Sequence, residues 1–287
     1  MSAAKSHVKT VMLAVLFCLF AGLAAPDAHA LALPVRYASK TAKLTIRKKK
    51  YYGTTCYIAH LKLKKNGFRR LKGGVSKKKK GETTLNFARR MNAVFAVGGD
   101  YSYPNGYTCV RKGVVYQGSS ADVPAVYNAN TGMLTPSRDI RRNGRTLRRM
   151  ASSGDVYNTF NFGPAFLSDG KILPEKDMYQ KKGHGRPRAF VGTNGRPGDM
   201  YFVVTEGADS AGGFRSDGKS RGLTSYQCAK ILKKLKCRFG VPLDGGGSTQ
   251  MIYKGKPVNN IHRIAFTEKG RPMTRKLFDF YYLSRKP

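Results

Sequence analysis

The stretch Val241-Pro242-Leu243-Asp244-Gly245-Gly246-Gly247-Ser248-Thr249-Gln250 says most about the fold and chemistry of this chain. A short apolar segment ends in one acid, and three glycines and two hydroxyl side chains follow. Consecutive glycines let the backbone take positive φ and let another group approach closely. Successive N–H groups in such a turn form an anion-binding concavity, to which Ser248 and Thr249 add donors. A carboxylate beside an anion site favours chemistry on an acidic substrate, whereas a plain glycine-rich turn between strands is the simpler interpretation.

A helix is predicted just before this stretch. Thr224 and Gln227 have the spacing of a capping box. One apolar face follows at helical spacing, made of Cys228, Ile231, Leu232 and Leu235. Gly240 then marks the end of the helix, before the strand that leads to Asp244.

Short apolar or alternating segments bounded by glycine predict strands over residues 44–46, 56–63, 93–97, 189–192, 200–205 and 278–283. Hairpins are predicted with turns at 112–113 and 168–170, and a short helix at 85–91. The glycines and lysines of residues 73–80 are predicted to form a loop, and residues 118–154 a polar, variable segment with strand character near 123–127. Many strands and few helices predict an α+β fold with a mixed β-sheet core.

The N-terminal thirty residues have the pattern of a secretory signal peptide. Lys5 and Lys9 precede an apolar run over residues 11–25, and Ala28-His29-Ala30 is a small-residue cleavage site. The mature protein is therefore expected to begin near Leu31 and to be periplasmic, extracellular or associated with the cell wall. No later segment is apolar enough to span a bilayer. We expect a basic N-terminal segment at 31–90 that belongs to the same fold as a main domain at 91–287.

The chain is strongly basic, with a formal net charge of +37. Between residues 31 and 90 the only acid is Glu82, against nineteen basic residues. The runs Arg47-Lys48-Lys49-Lys50 and Lys77-Lys78-Lys79-Lys80 are interpreted as solvated surface. Such a field attracts polyanions without specifying which one. For an exported protein these include phosphate-bearing wall polymers, acidic capsule, anionic lipid and DNA, and no signature of a specific nucleic-acid-binding module is present.

Four cysteines remain after the signal peptide: Cys56, Cys109, Cys228 and Cys237. On one helix, Cys228 and Cys237 would lie about 13 Å apart, beyond the roughly 7 Å that a disulfide allows. A Cys56–Cys109 disulfide stays open, and four buried, reduced cysteines are the simpler expectation. No Cys/His spacing resembles a zinc site, and the sequence predicts neither a metal nor a cofactor.

Three acids follow predicted strands beside glycine, namely Asp100, Glu206 and Asp244. Acids are scarce here, and pairs of carboxylates serve glycoside hydrolysis as acid, base or nucleophile. The three are therefore candidate catalytic residues, although Asp and Glu also occur as ordinary turn residues. Arg188 precedes a strand and is a candidate phosphate ligand, as is Arg221. His184 lies between glycines, as a candidate base or a plain loop residue.

Residues 213–220, Gly-Phe-Arg-Ser-Asp-Gly-Lys-Ser, match the letters of a Walker A motif. A working phosphate-binding loop runs directly from a strand into a helix. Here the preceding strand is predicted to end near Thr205, and the helix begins only at Thr224. We therefore interpret the segment as a polar surface loop rather than a nucleotide site.

Several short motifs occur in a fixed order, namely Gly98-Gly99-Asp100-Tyr101, Phe162-Gly163-Pro164, Pro187-Arg188, Glu206-Gly207, Ser220-Arg221-Gly222-Leu223-Thr224, Leu243 to Ser248, and Arg275 to Asp279. This order resembles the phosphodiester glycosidase family of the uncovering-enzyme type, which includes bacterial exported proteins. The resemblance covers most of the chain after Cys56. It departs from the family at Gly98 and Arg186, where Asn is usual, and at Glu206, where Asp is common.

The resemblance implies hydrolysis of a sugar-1-phosphodiester of the GlcNAc-1-phosphate type. Phosphate binding is assigned to Gly245, Gly246, Gly247, Ser248 and Thr249 with Arg188, helped by Arg221 and Thr224. Asp244 and Glu206 would act at the anomeric centre and on water, and Asp100 would orient the sugar. The departures leave two alternatives: a non-catalytic polyanion- or cell-wall-binding protein on the same fold, and an enzyme that remodels acidic exopolysaccharide.

Overall fold

A computed structural model of the protein describes residues 31–118, 123–137, 144–178, 185–207, 220–260 and 274–286. The predicted signal peptide lies outside the described residues. Strands dominate the described ranges, which confirms the predicted α+β class. Three α-helices are described, α1 (Thr84–Arg90), α2 (Gly144–Ser153) and α3 (Ser225–Lys234). The described strands are β1 (Val35–Ala38), β2 (Ala42–Tyr51), β3 (Thr54–Leu63), β4 (Leu71–Val75), β5 (Ala93–Gly98), β6 (Cys109–Arg111), β7 (Val114–Gln117), β8 (Ala125–Asn128), β9 (Met133–Pro136), β10 (Asn158–Phe160), β11 (Leu167–Ser168), β12 (Lys171–Ile172), β13 (Ala189–Thr193), β14 (Asp199–Thr205), β15 (Phe239–Leu243), β16 (Met251–Tyr253), β17 (Lys256–Pro257) and β18 (Asp279–Ser284).

The larger sheet has the strand order β1-β2-β3-β14-β13-β15-β11-β12, and its neighbouring strands pair antiparallel. Helix α3 covers one face of this sheet, as its apolar spacing predicts. Ile231 and Leu232 of α3 are fully buried in a cluster with Ile58 and Val203 of the sheet. The capping box at Thr224 and Gln227 is present. The helix therefore docks directly before β15, which delivers Asp244.

The second sheet has the order β17-β16-β5-β18-β4. Helix α1 covers its outer face, where Phe87 stacks on Phe280 with ring centroids 4.0 Å apart. The inner faces of the two sheets meet at Phe95 of β5 and Phe202 of β14, whose centroids are 5.4 Å apart. The core thus lies between two antiparallel sheets, each covered outside by a helix.

The predicted loop at 73–80 is wrong for its first residues, because Gly73, Gly74 and Val75 belong to β4. This strand pairs with β18 along its whole length. A Cβ on Gly73 would overlap Arg111, and one on Gly74 would lie 2.7 Å from Cζ of Phe87. The glycines therefore serve close packing of the strand, whereas the sequence pattern alone indicated a turn.

Helix α2 was not predicted, because arginines surround its narrow apolar stripe. Leu147 and Ala151 are buried in a cluster with Val110, Val126 and Val156. This cluster holds the small sheets β10-β8-β9 and β6-β7 together.

All four described cysteines are free and buried, so the open Cys56–Cys109 pairing is not formed. Helix α3 ends before Cys237, which lies in the turn to β15. Among the described helices, none is both long and apolar enough to cross a membrane.

Candidate functional site

A pocket of about 290 Å³ opens where β15 ends and β18 begins, lined by Gly99, Tyr101, Tyr103, Asp244, Ser248, Arg275, Lys276, Leu277, Phe278 and Asp279. The two sheets meet here, because the N–H of Asp244 donates to the carbonyl of Gly99 at 3.0 Å. A Cβ on Gly98 would lie 2.5 Å from the backbone oxygen of Ser248. The close approach of these two backbones brings the glycine-rich turn to the pocket.

Asp244, Ser248 and Arg275 form a chain of polar groups on the pocket wall. The Nη1 of Arg275 donates to the Oγ of Ser248 at 3.1 Å, and Ser248 bonds to the carboxylate of Asp244. Burial raises the pKa of Asp244 to about 6, while the Ser248 hydrogen bond and the charge of Arg275 act to lower it. At neutral pH the group is therefore mostly ionised but close to titration, as acid–base and nucleophilic carboxylates in enzymes are.

Behind Asp244 lies a fully buried charge cluster of Asp100, Arg111 and Asp279. The Nη2 of Arg111 donates to both carboxylates, with 2.8 Å to Asp279. The N–H of Ser102 donates to both as well, at 3.2 Å each. The Tyr281 hydroxyl donates to Oδ2 of Asp100 at 2.8 Å. One buried guanidinium thus binds two carboxylates that are themselves almost fully buried.

The pKa values of the two carboxyl groups in the cluster are shifted in opposite directions. Burial and the nearby charge of Asp100 raise the pKa of Asp279 to about 8. The Arg111 guanidinium and the hydrogen bond from Asp279 hold the pKa of Asp100 below its ordinary value, against the effect of burial. The directions of these shifts indicate that the pair shares one proton at neutral pH, held more readily by Asp279, so the cluster is close to neutral.

Asp100 is 2% exposed, and its oxygens accept from Ser102, Arg111, Tyr281 and the N–H of Asn161. The sequence predicted that it would orient the sugar directly. Because its acceptor sites are filled within the protein, the structure favours an indirect role through Arg111 and Asp279.

Glu206 lies at the end of β14, as predicted, but it does not line the pocket. It is fully buried, and its Oε1 accepts from the N–H of Asn260 at 3.1 Å. The chain at Gly207 crosses close to Pro187, since a Cβ on Gly207 would lie 2.5 Å from the Pro187 nitrogen. Pro187 in turn accepts from the N–H of Gly246 at 2.9 Å. Glu206 and the glycine-rich turn therefore lie on either side of Pro187.

The glycine-rich turn is a short 3₁₀ segment, Gly246–Ser248. Gly246 takes φ +57°, a conformation that favours glycine. The N–H groups of Ser248 and Thr249 donate to carbonyls of the same turn, both at 3.1 Å. The N–H of Gly246 donates to the carbonyl of Pro187 at 2.9 Å. Several predicted anion-binding N–H groups are thus engaged within the protein, and the turn positions Asp244 and Ser248.

Two tyrosines, missed as site residues, form another part of the pocket wall. Tyr101 is 54% exposed. Its φ of +63° means that the backbone changes direction at this residue, shortly after the end of β5. The ring of Tyr103 lies edge-on to that of Tyr116, with centroids 6.1 Å apart. Exposed aromatic rings beside a polar pocket suit the apolar faces of sugar rings.

A family model for phosphodiester glycosidases matches residues 72–276. The chain belongs to the phosphodiester glycosidase family. The match confirms the family predicted from the order of the motifs. The matched residues include the charge cluster partners Asp100 and Arg111, the glycine-rich turn and Arg275.

Several solved structures share the fold of this chain at low sequence identity. The catalytic domain of zebrafish N-acetylglucosamine-1-phosphodiester alpha-N-acetylglucosaminidase, auto-inhibited by its pro-peptide, superimposes with a TM-score of 0.60 at 15% identity, covering 91% of each chain. A hypothetical protein from Synechocystis gives a TM-score of 0.57 at 11% identity, over 87% of this chain and 64% of that one. A putative exported protein from Burkholderia pseudomallei gives a TM-score of 0.50 at 12% identity, over 80% of this chain and 74% of that one. At these identities the likeness shows the fold.

One curated relative is a Bacillus subtilis protein, the SPbeta prophage-derived uncharacterized protein YomE. It is 23% identical over 190 residues, which are 63% of this chain and 27% of the relative. The matched part of the chain therefore spans about a quarter of the length of that protein.

The remaining ligands predicted from the sequence do not line this pocket. Arg188 is 7% exposed, and its Nε donates to the carbonyl of Leu223 at 2.9 Å. Thr224 caps α3 by accepting from the N–H of Gln227 at 3.2 Å. Arg221 is exposed beside them. His184 and residues 213–219 of the Walker-like segment lie outside the described residues. The strand before that segment, β14, ends at Thr205, and the helix after it, α3, begins after its cap Thr224, both as predicted.

The arginine that lines the pocket is Arg275, which sequence reasoning did not select as a ligand. Arg111 and Asp279 were missed in the same way. The spacing Arg275 to Asp279 in the C-terminal motif was the available signal. It did not suffice, because basic residues are so common in this chain that a single arginine carries little information.

Proposed function

We propose that this protein is an exported hydrolase that cleaves the sugar–phosphate bond of a sugar-1-phosphodiester, of the GlcNAc-1-phosphate type, in a phosphate-bearing glycan. The observation that carries the proposal is the pocket in which Asp244, Ser248 and Arg275 converge. A carboxylate and a guanidinium joined by a hydroxyl are suited to a substrate with an anomeric carbon next to a phosphate. Membership of the family supports the same reaction class.

In the proposed reaction, the bond between the anomeric carbon and the phosphate oxygen breaks. The phosphomonoester dianion leaves with the electron pair of that bond. Water adds its hydroxyl to the anomeric carbon and gives its other proton to the phosphomonoester or to solvent. A phosphomonoester anion is a good leaving group, so the protein needs to hold the phosphate more than to protonate it. Arg275 and the Ser248 hydroxyl hold the phosphate, and ionised Asp244 stabilises or attacks the oxocarbenium-like sugar. Tyr101 and Tyr103 stack on the sugar ring.

The other predicted acids take supporting roles in this proposal. Asp100 and Asp279 position the pocket wall through Arg111 and leave little net charge behind Asp244. Glu206 is buried and does not line the pocket, so in this proposal it supports the chain at Pro187, next to the glycine-rich turn, rather than activating water. Arg188 and Thr224 fix the segments beneath the glycine-rich turn, through Leu223 and the first turn of α3.

The test is release of GlcNAc from methyl-phospho-GlcNAc and UDP-GlcNAc by residues 31–287, at low salt. Asp244→Asn is expected to lower kcat/KM by about a thousandfold or more, as loss of a catalytic carboxylate does. Arg275→Gln is expected to raise KM, and Arg148→Gln, an exposed arginine on α2, serves as its matched control.

For the wild type, kcat/KM should fall below about pH 6 as Asp244 takes up a proton.

A second candidate function is non-catalytic binding of a wall polyanion, which the net charge of +37 and the departures at Gly98 and Arg186 favour. No turnover of any sugar-1-phosphodiester, together with salt-sensitive binding of teichoic acid by wild type and Asp244→Asn alike, would establish it and overturn the hydrolase.

A further inference from the structure

The four lysines Lys77, Lys78, Lys79 and Lys80 form an exposed turn between β4 and α1, called here the lysine turn. The turn has a fixed backbone. The Oγ of Ser76 accepts from the N–H of Lys78 at 3.1 Å, and the N–H of Gly81 donates to the carbonyl of Lys78 at 2.9 Å. Gly81 takes φ +69°, which closes the turn tightly. The lysine stems extend from a rigid base rather than from a loose loop.

Both ends of the lysine turn are hydrogen-bonded to the wall of the candidate active site. Before the turn, the N–H of Ser76 donates to the carbonyl of Phe278 at 2.7 Å. After it, Glu82 and Leu277 exchange two backbone hydrogen bonds of 3.0 and 2.8 Å. Leu277 and Phe278 line the pocket together with the exposed Lys276. The lysine turn therefore adjoins the backbone that forms the pocket rim at Leu277 and Phe278.

No described side chain neutralises the charge of the lysine turn. Glu82, the only acid between residues 31 and 90, is 2% exposed and forms an ion pair with Arg90. Among the described residues, no carboxylate lies within ion-pair distance of the four lysines. Four like charges on one turn repel each other, and an anionic ligand at this rim would relieve that repulsion.

We propose that the lysine turn is a second phosphate-binding subsite, which holds neighbouring phosphates of a polymeric substrate while one linkage occupies the pocket. This inference rests on the proposed function and narrows its substrate class to a glycan chain with repeated phosphodiester linkages. Lysines suit such a role, because flexible stems with point charges follow phosphates of varying position, whereas Arg275 can hold one phosphate in a defined geometry. Two linked subsites raise the affinity for a polymer above that for a single diester.

The test compares two variants with equal loss of charge, both in the Asp244→Asn background. One replaces the lysine turn (K77Q/K78Q/K79Q/K80Q). The matched control replaces the exposed basic run of β2 (R47Q/K48Q/K49Q/K50Q), a strand that pairs with β1 and β3 in the other sheet. Binding of oligomeric GlcNAc-1-phosphate and of methyl-phospho-GlcNAc is measured at several salt concentrations. Thermal unfolding of each variant verifies that it is folded.

We expect the lysine-turn variant to show an about tenfold lower ratio of the affinity for the oligomer to the affinity for methyl-phospho-GlcNAc. Its affinity for the oligomer should also depend less steeply on salt concentration, whereas the control variant should keep the wild-type ratio. Equal loss in both variants would assign the effect to the general field of the protein and overturn the subsite. An unchanged ratio, or an oligomer that does not bind, would overturn it too. Because binding is measured without turnover, failure of the hydrolase proposal is detected separately, by the absence of GlcNAc release from wild type.

Discussion

Individual buried charges shape the candidate site more than its exposed groups do. Arg111 is fully buried and bonds to both carboxylates behind the pocket. Breaking such a cluster by removing one partner leaves an uncompensated charge in the interior, which costs about 3–5 kcal/mol. The proton on Asp279 is part of this balance, because one guanidinium cannot neutralise two carboxylates.

Replacing Asp279 by Asn should remove a pH dependence of stability. The pKa of Asp279 in the folded protein is about 8, well above its ordinary value, so the folded state binds an extra proton below that pH. The free energy of unfolding of the wild type should therefore fall as pH rises towards 8, by up to about 1.4 kcal/mol per pH unit. Asp279→Asn keeps a neutral group there and should not show this fall. Urea unfolding at about pH 6, 7 and 8 measures both proteins.

The matched control for this prediction is Asp155→Asn, on the surface. Hydrogen bonds from Ser153 and Asn130 lower the pKa of Asp155, so it does not titrate in the same window. The free energy of unfolding of Asp155→Asn should show the same fall between pH 6 and 8 as that of the wild type. If wild type and Asp279→Asn lost stability in parallel between pH 6 and 8, a protonated Asp279 would be ruled out.

At the scale of single elements, β4 is the strand that joins the site to its support. Its glycines allow Arg111 and Phe87 to pack directly against the backbone. The N–H of Gly73 also donates to Oδ1 of Asn158 at 2.8 Å, and the same oxygen accepts from Lys112 at 3.0 Å. β4 thus fixes the side chain that holds both buried carboxylates.

Gly73→Ala should therefore destabilise the protein by about 2–3 kcal/mol, because its Cβ would overlap Arg111 and lie 2.6 Å from Oδ1 of Asn158. The free energy of unfolding from urea titrations tests this. Gly118→Ala is the control, since nothing lies within 4 Å of its Cβ. Equal stability of the two variants would mean that β4 does not pack as described.

For the whole molecule, the dominant property is a net charge of +37. Self-repulsion of this size opposes the compact state, and salt screens it. The urea midpoint should therefore rise when NaCl is raised from about 50 mM to about 300 mM, where the Debye length falls below roughly 10 Å. A neutral osmolyte at equal osmolality, with no effect on charge, is the control. A midpoint that stays constant or falls with NaCl would contradict this expectation.

The sequence alone determined the family, the α+β class, and the elements whose patterns are local. Helix α3 was predictable because its cap and apolar face lie within a few consecutive turns. Asp244, at the end of β15, was predictable because a buried apolar run followed by glycines marks the end of a strand.

Only the tertiary structure decided which of these residues meet. Asp100 and Asp279 share Arg111 because β5 and β18 are neighbours in one sheet, although they lie far apart in the chain. Arg275 reaches Ser248 because the strands that follow them, β18 and β16, both pair with β5. Arg188 is held against Leu223 and does not line the pocket. The glycines of β4 looked like a loop because the side chains that require them come from distant segments. Local periodicity specifies elements, but the register between strands places charges together, and that register depends on contacts that no short stretch of sequence contains.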